Sequence, residues 1–313
     1  MVDHQQPVGA SDPPAGAAVD RGLRVLREAS AAAGPGRSIG AGIAAARDAV
    51  ARGLIRVGAT PDRLTIAGFL LTCGAGYCLV RGAGEQTPYF HSGGGPVGWW
   101  PVWTGVVLLL AAACDMLDGA VARIGKLGSR SGALLDSSVD RFSDMVVYLG
   151  CFLYFALLKR PNITYQLLAI IALCNAFLIS YVKARAEDII TDCTVGYWQR
   201  GERFAGFLIV CFAGHIPSVL WMMAVSGAFT VWRRLSFAYL TVRAADVGRP
   251  LPPRGPRPGW LGAVQLWRRP RGSVGYDLVT GTNIAFLIWG PCLWPVLLAT
   301  GPWADPVRQW LGG

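Results

Sequence analysis

The stretch Asp115-Met-Leu-Asp118-Gly119-Ala-Val-Ala122-Arg123, followed after eight residues by Gly132-Ala-Leu-Leu-Asp136-Ser-Ser-Val-Asp140, decides how the rest of the chain is read. Its four carboxylates lie between runs apolar enough to be membrane helix. An acidic side chain there is costly unless it faces a wet cavity, a cation or a partner. Asp115 and Asp118 are three residues apart, and Asp136 and Asp140 are four apart, so each pair occupies one helix face. Two such faces turned toward each other gather negative charge that repels itself and takes up protons unless it is neutralised. Hard divalent cations such as Mg²⁺ or Mn²⁺, which prefer oxygen ligands, suit that task. Gly119, Ala122 and Gly132 are small enough to let a second backbone or a flat ligand come close. On a soluble helix pair the same acids would be caps and surface groups, but the apolar flanks argue against that setting.

Composition agrees. The chain of 313 residues is 53% hydrophobic and only 15% charged, against about a quarter charged in average soluble proteins. Its formal charge of +10 comes from Arg and Lys clustered between apolar segments, which suits an anionic membrane surface and phosphorylated substrates. No nucleic-acid recognition module is visible, so no nucleic-acid partner is expected. Of the eight cysteines none forms a C-x2-C pair, and they read as small buried hydrophobes rather than zinc ligands or disulfides. Residues 1–20 lack a basic start followed by a hydrophobic core, so no cleavable signal peptide is expected.

In chain order, residues 1–37 read as a disordered or loosely helical tail, and residues 38–60 as a basic amphipathic helix lying on the membrane surface. Residues 61–243 then hold six membrane helices. The expected spans are Arg63–Val80, Val97–Arg123, Gly132–Leu158, Ile163–Ala184, Arg203–Ala213 and Pro217–Val231. Thr60-Pro61-Asp62 caps the first of these, and Trp99, Trp100 and Trp103 form an interfacial belt at the outer end of the second. Gly82 to Pro96 is a glycine-rich external loop in which His91 is an ordinary exposed histidine. Asp144, one turn beyond Asp140, either extends the polar cavity or pairs with Arg141. Residues 244–278 are a basic Pro/Gly/Arg linker, and 279–313 hold a further apolar run that is either a seventh crossing or a broken, re-entrant helix.

The pattern D-x2-D-G-x2-A-R-x8-G-x3-D-x3-D resembles, position for position, the signature of the CDP-alcohol phosphotransferases. These integral membrane enzymes join a CDP-linked lipid to an alcohol and release CMP. The resemblance covers roughly residues 38–243 and implies an all-α, polytopic six-helix bundle. To it this chain adds an N-terminal interfacial helix and a C-terminal membrane helix. It further implies two Mg²⁺ (or Mn²⁺) ions held by Asp115, Asp118 and Asp136, with Asp140 as the base that also contacts the second ion. Spacing alone does not say which acid plays which part. Asp62, Thr65, Gly119, Ala122, Arg123 and Ser129 match the family's contacts to the CDP-lipid. The implied setting is a bacterial-type inner membrane with the active site facing the cytoplasm. A head-to-head homodimer is also a property of the family, not a feature of this sequence.

Ser180-Tyr-Val-Lys183-Ala-Arg185-Ala-Glu187, Gly201-Glu202-Arg203 and Thr230-Val-Trp-Arg-Arg234 resemble the branch that makes phosphatidylinositol phosphate from CDP-diacylglycerol and inositol 1-phosphate. Ser180, Lys183, Arg185, Arg203 and Arg234 would there contact the acceptor phosphate. A cationic pocket suits a dianionic phosphate and would be superfluous for a neutral alcohol. Gln199 stands where that branch commonly has Glu, and residues 186–198 depart from its glycine-rich form. Glycerol 3-phosphate or another phosphorylated alcohol is the alternative acceptor. A cation transporter is the alternative of another class, though it would leave Gly119, Ala122, Arg123 and Gly132 without a purpose.

Overall fold

A computed structural model describes residues 35–89, 96–190, 193–249, 273–293 and 305–310. These form nine helices: α1 (Pro35–Arg56), α2 (Pro61–Arg81), α3 (Trp100–Ile124), α4 (Arg130–Ala156), α5 (Ile163–Glu187), α6 (Arg200–Ala213), α7 (Ile216–Asp246), α8 (Val274–Leu293) and α9 (Pro306–Trp310). The expected tail 1–34, His91 and the linker arginines from Arg254 to Arg271 lie outside the described residues.

Most helix boundaries follow from punctuation. Pro61 opens α2, but the Thr60 hydroxyl makes no capping bond; the first turn is closed instead by Leu64 N–H donating to the Thr60 carbonyl at 3.3 Å. Ser129 caps α4 by accepting from Gly132 N–H at 2.9 Å, and Asn162 caps α5 by accepting from Tyr165 N–H at 3.1 Å. Such bonds satisfy donors that a helix start leaves without partners. The left-handed Gly214, with φ of 72°, ends α6.

Helices α2 to α7 pack round one core. In it Tyr148 meets Phe207 edge-on at 5.1 Å, and Phe155 stacks on Tyr165 at 4.7 Å. Large apolar side chains such as Leu70, Leu110, Leu149 and Ile171 remain exposed on the outer faces, as lipid-facing positions should be. Among the described residues, α2, α3 and α5 are long and apolar enough to cross a membrane. Helix α4 carries Asp136, Asp140, Arg141 and Asp144 in its first half, which lowers its hydropathy because the acidic site is built into it. Helix α6 has 14 residues and spans about 21 Å, short of the roughly 30 Å hydrocarbon layer.

The tryptophan belt divides: Trp99 and Trp103 are exposed, whereas Trp100 packs edge-on against Tyr77 at 6.2 Å and lies beneath Arg81. Helix α1 rests on the acidic end of the bundle, with Ala51 buried against Ala120 and Val121. All eight cysteines are free; Cys151, Cys193 and Cys211 are buried, but Cys174 and Cys292 are exposed.

Two boundaries differ from expectation. The sixth helix was expected to stop at Val231, where the apolar run meets Arg233 and Arg234, yet α7 runs on to Asp246 over 31 residues. Ala238 packs against Ala186 and Cys193 near the end of α5, so the last turns of α7 project beyond the acidic end. Helix α8 begins at Val274, inside the stretch 244–278 expected as linker. Tyr276 at its start donates to Glu202 on α6 at 2.7 Å, at the acidic end. Further on, the buried carboxylate of Asp305 accepts from the N–H groups of Ile163 at 2.8 Å and Thr164 at 3.0 Å and from the Thr164 hydroxyl at 2.6 Å. Those residues open α5 at the opposite end of the bundle.

Candidate active site

The last turns of α3 carry Asp115 and Asp118, and the first turns of α4 carry Asp136 and Asp140. Helix α2 packs against both. A β-carbon at Gly68 would meet Cys114 Cβ at 3.2 Å, so a larger residue would push α2 off α3 at the turn that presents Asp115. With the helices at this approach, single carboxylate oxygens of Asp115, Asp118 and Asp136 lie within 4.8 Å of one another. Asp118 is 5% exposed and accepts a hydrogen bond from the Thr65 hydroxyl at 2.7 Å. Among the described residues, no basic side chain forms an ion pair with Asp118 or Asp136. One buried and two half-buried acids with hard oxygen donors, two of them without an ion-pair partner among the described residues, are a donor set that fits Mg²⁺ or Mn²⁺.

Asp140 sits differently. Arg200 spans the gap between the helices, its Nη1 2.5 Å from Asp115 Oδ1 and its Nη2 2.9 Å from Asp140 Oδ1. Arg141 approaches Asp140 less closely, at 3.8 Å. Arg200 is absent from the residues expected in the site. A signal was present: Arg200-Gly-Glu202-Arg203 places three charges where an apolar run begins. Asp144 follows neither expected course; it pairs with Arg203 at 2.7 Å, and both side chains are buried.

Two cavities meet at this point. One, of about 500 Å³, lies between α2, α3, α4 and α6; Phe69, Leu109, Met116, Val139, Phe204 and Leu208 line it and Asp115, Asp118, Asp140 and Arg200 close its polar end. The other, of about 290 Å³, is lined by five basic residues, Arg141, Lys183, Arg200, Arg203 and Arg234, against two acids, Asp140 and Glu187. Asp140 and Arg200 face both spaces. The first suits acyl chains and the second suits a multiply charged anion.

Of the residues expected to hold the acceptor phosphate, Ser180, Lys183, Arg203 and Arg234 line the cationic cavity. Arg234 is buried and donates to the carbonyls of Ile179 at 2.5 Å and Val195 at 3.1 Å, contacts that orient its guanidinium without neutralising it. Arg185 is a correction. It lies outside that cavity, 66% exposed and paired with Asp188 at 3.3 Å. Helix phase explains this: Ser180, Lys183, Ala184 and Glu187 share one face, and position 185 is turned about 100° from Ala184.

The residues expected to hold the nucleotide ring the carboxylates without sharing one cavity. Thr65 is spent on Asp118. Asp62 and Ser129 flank Gly132, where a β-carbon would stand 3.2 Å from Asp62 Oδ1 and 3.0 Å from Ser129 Oγ, so a larger residue there would press on both side chains. Ser129 is engaged in capping α4. The Arg123 guanidinium lies over Gly119, one turn from Asp115, with Ala122 beside it. Thr65→Val removes the hydrogen bond that orients Asp118, and supporting bonds of this kind are worth about 10–100-fold in metal affinity. A manganese titration followed by electron paramagnetic resonance should register that loss; unchanged affinity would deny Thr65 the role.

Residues 59–232 match the family model for CDP-alcohol phosphatidyltransferases. The chain is 32% identical over 213 residues to the phosphatidylinositol phosphate synthase of Mycobacterium marinum, covering 65% of this chain and 84% of that one. It is 29% identical over 191 residues to the archaetidylinositol phosphate synthase of Methanothermobacter thermautotrophicus, covering 59% and 85%. The crystal structure of the Mycobacterium tuberculosis phosphatidylinositol phosphate synthase with CDP-DAG bound is similar at a TM-score of 0.52 and 29% identity, over 62% of this chain and 93% of that one. The same enzyme in complex with manganese and citrate gives 0.51 and 28%, over 62% and 88%. An acidic cluster at the meeting of an apolar and a cationic cavity, in a helical membrane bundle that this model matches over more than half its length, places the chain in the CDP-alcohol phosphatidyltransferase family.

Proposed function

We propose that the chain transfers the phosphatidyl group of CDP-diacylglycerol to a hydroxyl of inositol 1-phosphate and releases CMP. The observation that carries this reading is the junction of the two cavities at Asp140, one apolar and the other with five basic groups against two acidic ones. Both relatives carry an inositol phosphate in the names of their products although their lipids differ, and this agrees with an acceptor site built for that headgroup.

The apolar cavity holds the diacylglycerol portion and brings the diphosphate to the carboxylates. Asp115, Asp118 and Asp136 would hold a divalent metal, Mg²⁺ or Mn²⁺, with Asp140 in place for a second; bound there, the metal would supply charge withdrawal from the diphosphate. Asp62, Thr65, Gly119, Ala122, Arg123 and Ser129 surround the nucleotide. Ser180, Lys183, Arg203 and Arg234 fix the acceptor phosphate, so that its hydroxyl points at Asp140. Asp140 takes the hydroxyl proton as the oxygen attacks the lipid-side phosphorus, and the phosphoanhydride bond breaks toward CMP. Arg200 holds Asp115 and Asp140 together before substrate arrives. Each of these residues comes from one chain, and the homodimer that the family implies would carry two such sites.

The setting follows from charge. Arg52, Arg56, Arg123, Lys126, Arg130, Lys183, Arg185 and Arg243 gather at the acidic end, and Arg81, Lys159 and Arg160 are at the other. By the positive-inside rule the acidic end faces the cytoplasm, as in a bacterial inner membrane.

Purified protein given CDP-diacylglycerol and each of inositol 1-phosphate, glycerol 3-phosphate and inositol tests the reading. CMP release with inositol 1-phosphate alone is expected, and none with it overturns the assignment. The position of Arg185 adds a finer expectation. Lys183→Ala should raise the KM for inositol 1-phosphate about tenfold, the worth of one charge-assisted hydrogen bond, with the KM for CDP-diacylglycerol held, while Arg185→Ala should change either by less than about twofold. Equal effects from the two would remove the distinction drawn from helix phase.

A further inference from the structure

The family match ends at residue 232, and α8 lies wholly beyond it, yet α8 reaches the cationic cavity through α6. The start of α6 carries Arg200 and Arg203, and the Gln199 side chain makes no capping bond to it. That side chain donates instead to the Thr194 carbonyl, at 3.3 Å. The start of α6 therefore lacks a side-chain cap from Gln199, and beyond the ion pairs of Arg200 and Arg203 its place depends on what packs against it. Helix α8 supplies the hold. Tyr276 donates its phenolic hydrogen to Glu202 Oε1 at 2.7 Å, between the two arginines. Tyr197, just ahead of α6, donates to the Thr280 hydroxyl at 3.1 Å, and its ring lies 5.5 Å from that of Tyr276. Tyr197 also meets Trp198 edge-on at 4.9 Å, and Trp198 donates to Ser226 on α7 at 2.5 Å.

Helix α8 is itself held against α6 further along. Leu287 is 2% exposed and approaches Gly206 on α6. An element packed along α6 in this way can set the position of what it touches.

We propose that α8 is a positioning element for the acceptor site, in which Tyr276 acting through Glu202 and Thr280 acting through Tyr197 hold the start of α6 so that Arg200 and Arg203 face the cationic cavity. The inference rests on the reading of that cavity as the site of the phosphorylated acceptor. Neither residue touches substrate. Their effect is to keep two guanidinium groups where the acceptor phosphate meets them.

The full-length chain in detergent, with Tyr276→Phe and Thr280→Val made singly and together, tests this by two readouts. Hydrogen exchange of the amides in 193–203 should quicken about tenfold in the double variant, the loss expected for one hydrogen bond to a charged group. The KM for inositol 1-phosphate should rise about tenfold while the KM for CDP-diacylglycerol and the melting temperature hold. Unchanged exchange overturns the proposal. So does a rise of both KM values together, which marks a general loss of structure. If the wild-type chain releases no CMP with inositol 1-phosphate, the functional reading fails, and exchange in 193–203 still decides whether α8 anchors α6.

Discussion

Asp140→Asn abolishes turnover, lowering kcat by about 10²–10⁴-fold as loss of a general base does, while CDP-diacylglycerol binds within about threefold of its wild-type affinity. The expectation comes from position. Asp140 is one of two residues that line both cavities, so in the proposed reaction its carboxylate faces the place where the acceptor hydroxyl and the lipid phosphate meet. The amide fills the same volume and still accepts a hydrogen bond from Arg200, but it takes no proton. The residues proposed to surround the nucleotide, from Asp62 to Ser129, are untouched. Single-turnover CMP release and equilibrium binding of labelled CDP-diacylglycerol separate the two effects. Activity near that of the wild type would assign the base elsewhere.

Arg203→Gln destabilises the fold by about 3–5 kcal/mol, because removing one partner of a buried ion pair strands the other charge. Arg203 and Asp144 side chains are 3% and 10% exposed and 2.7 Å apart. For a chain of this size such a loss lowers the melting temperature by about 10 °C. Arg203→Met with Asp144→Leu removes both charges and should recover most of the stability. It should not recover the acceptor KM, because the cationic cavity still lacks a guanidinium. Recovery of both would make Arg203 a purely structural residue. A single Arg203→Gln variant as stable as the wild type would mean that the pair is solvated.

Much of the site was legible because helix geometry converts spacing into shared faces. The aspartates at three and four residues' separation needed only neighbouring helices to become a cluster, and three of the four do so. Ser180 and Lys183 were legible for the same reason, and reading Arg185 with them ignored the helix phase that turns it outward. Arg200 was hidden for a different reason. It lies 85 residues from Asp115 in sequence, and nothing local says which acid a basic residue at a helix start will meet. The same holds for Arg203 and Asp144, 59 residues apart.

In the fold, the end of an apolar run was taken for the end of a helix. Arg233 and Arg234 mark where α7 leaves hydrophobic surroundings, but Leu235 to Asp246 contain no Gly or Pro to end it, and the helix continues. The course of the last segment was open between crossing and returning because both fit the same hydropathy. Its described residues make two polar contacts at opposite ends of the bundle, Tyr276 with Glu202 and Asp305 with Thr164. Neither is visible in composition.

Diffraction from crystals soaked in Mn²⁺, collected at an energy where manganese scatters anomalously, puts the acidic cluster to its most direct test. An anomalous peak bounded by the carboxylates of Asp115, Asp118 and Asp136, and lost in Asp118→Ala, is the expected result. Carboxylates free of metal at saturating Mn²⁺ would contradict it.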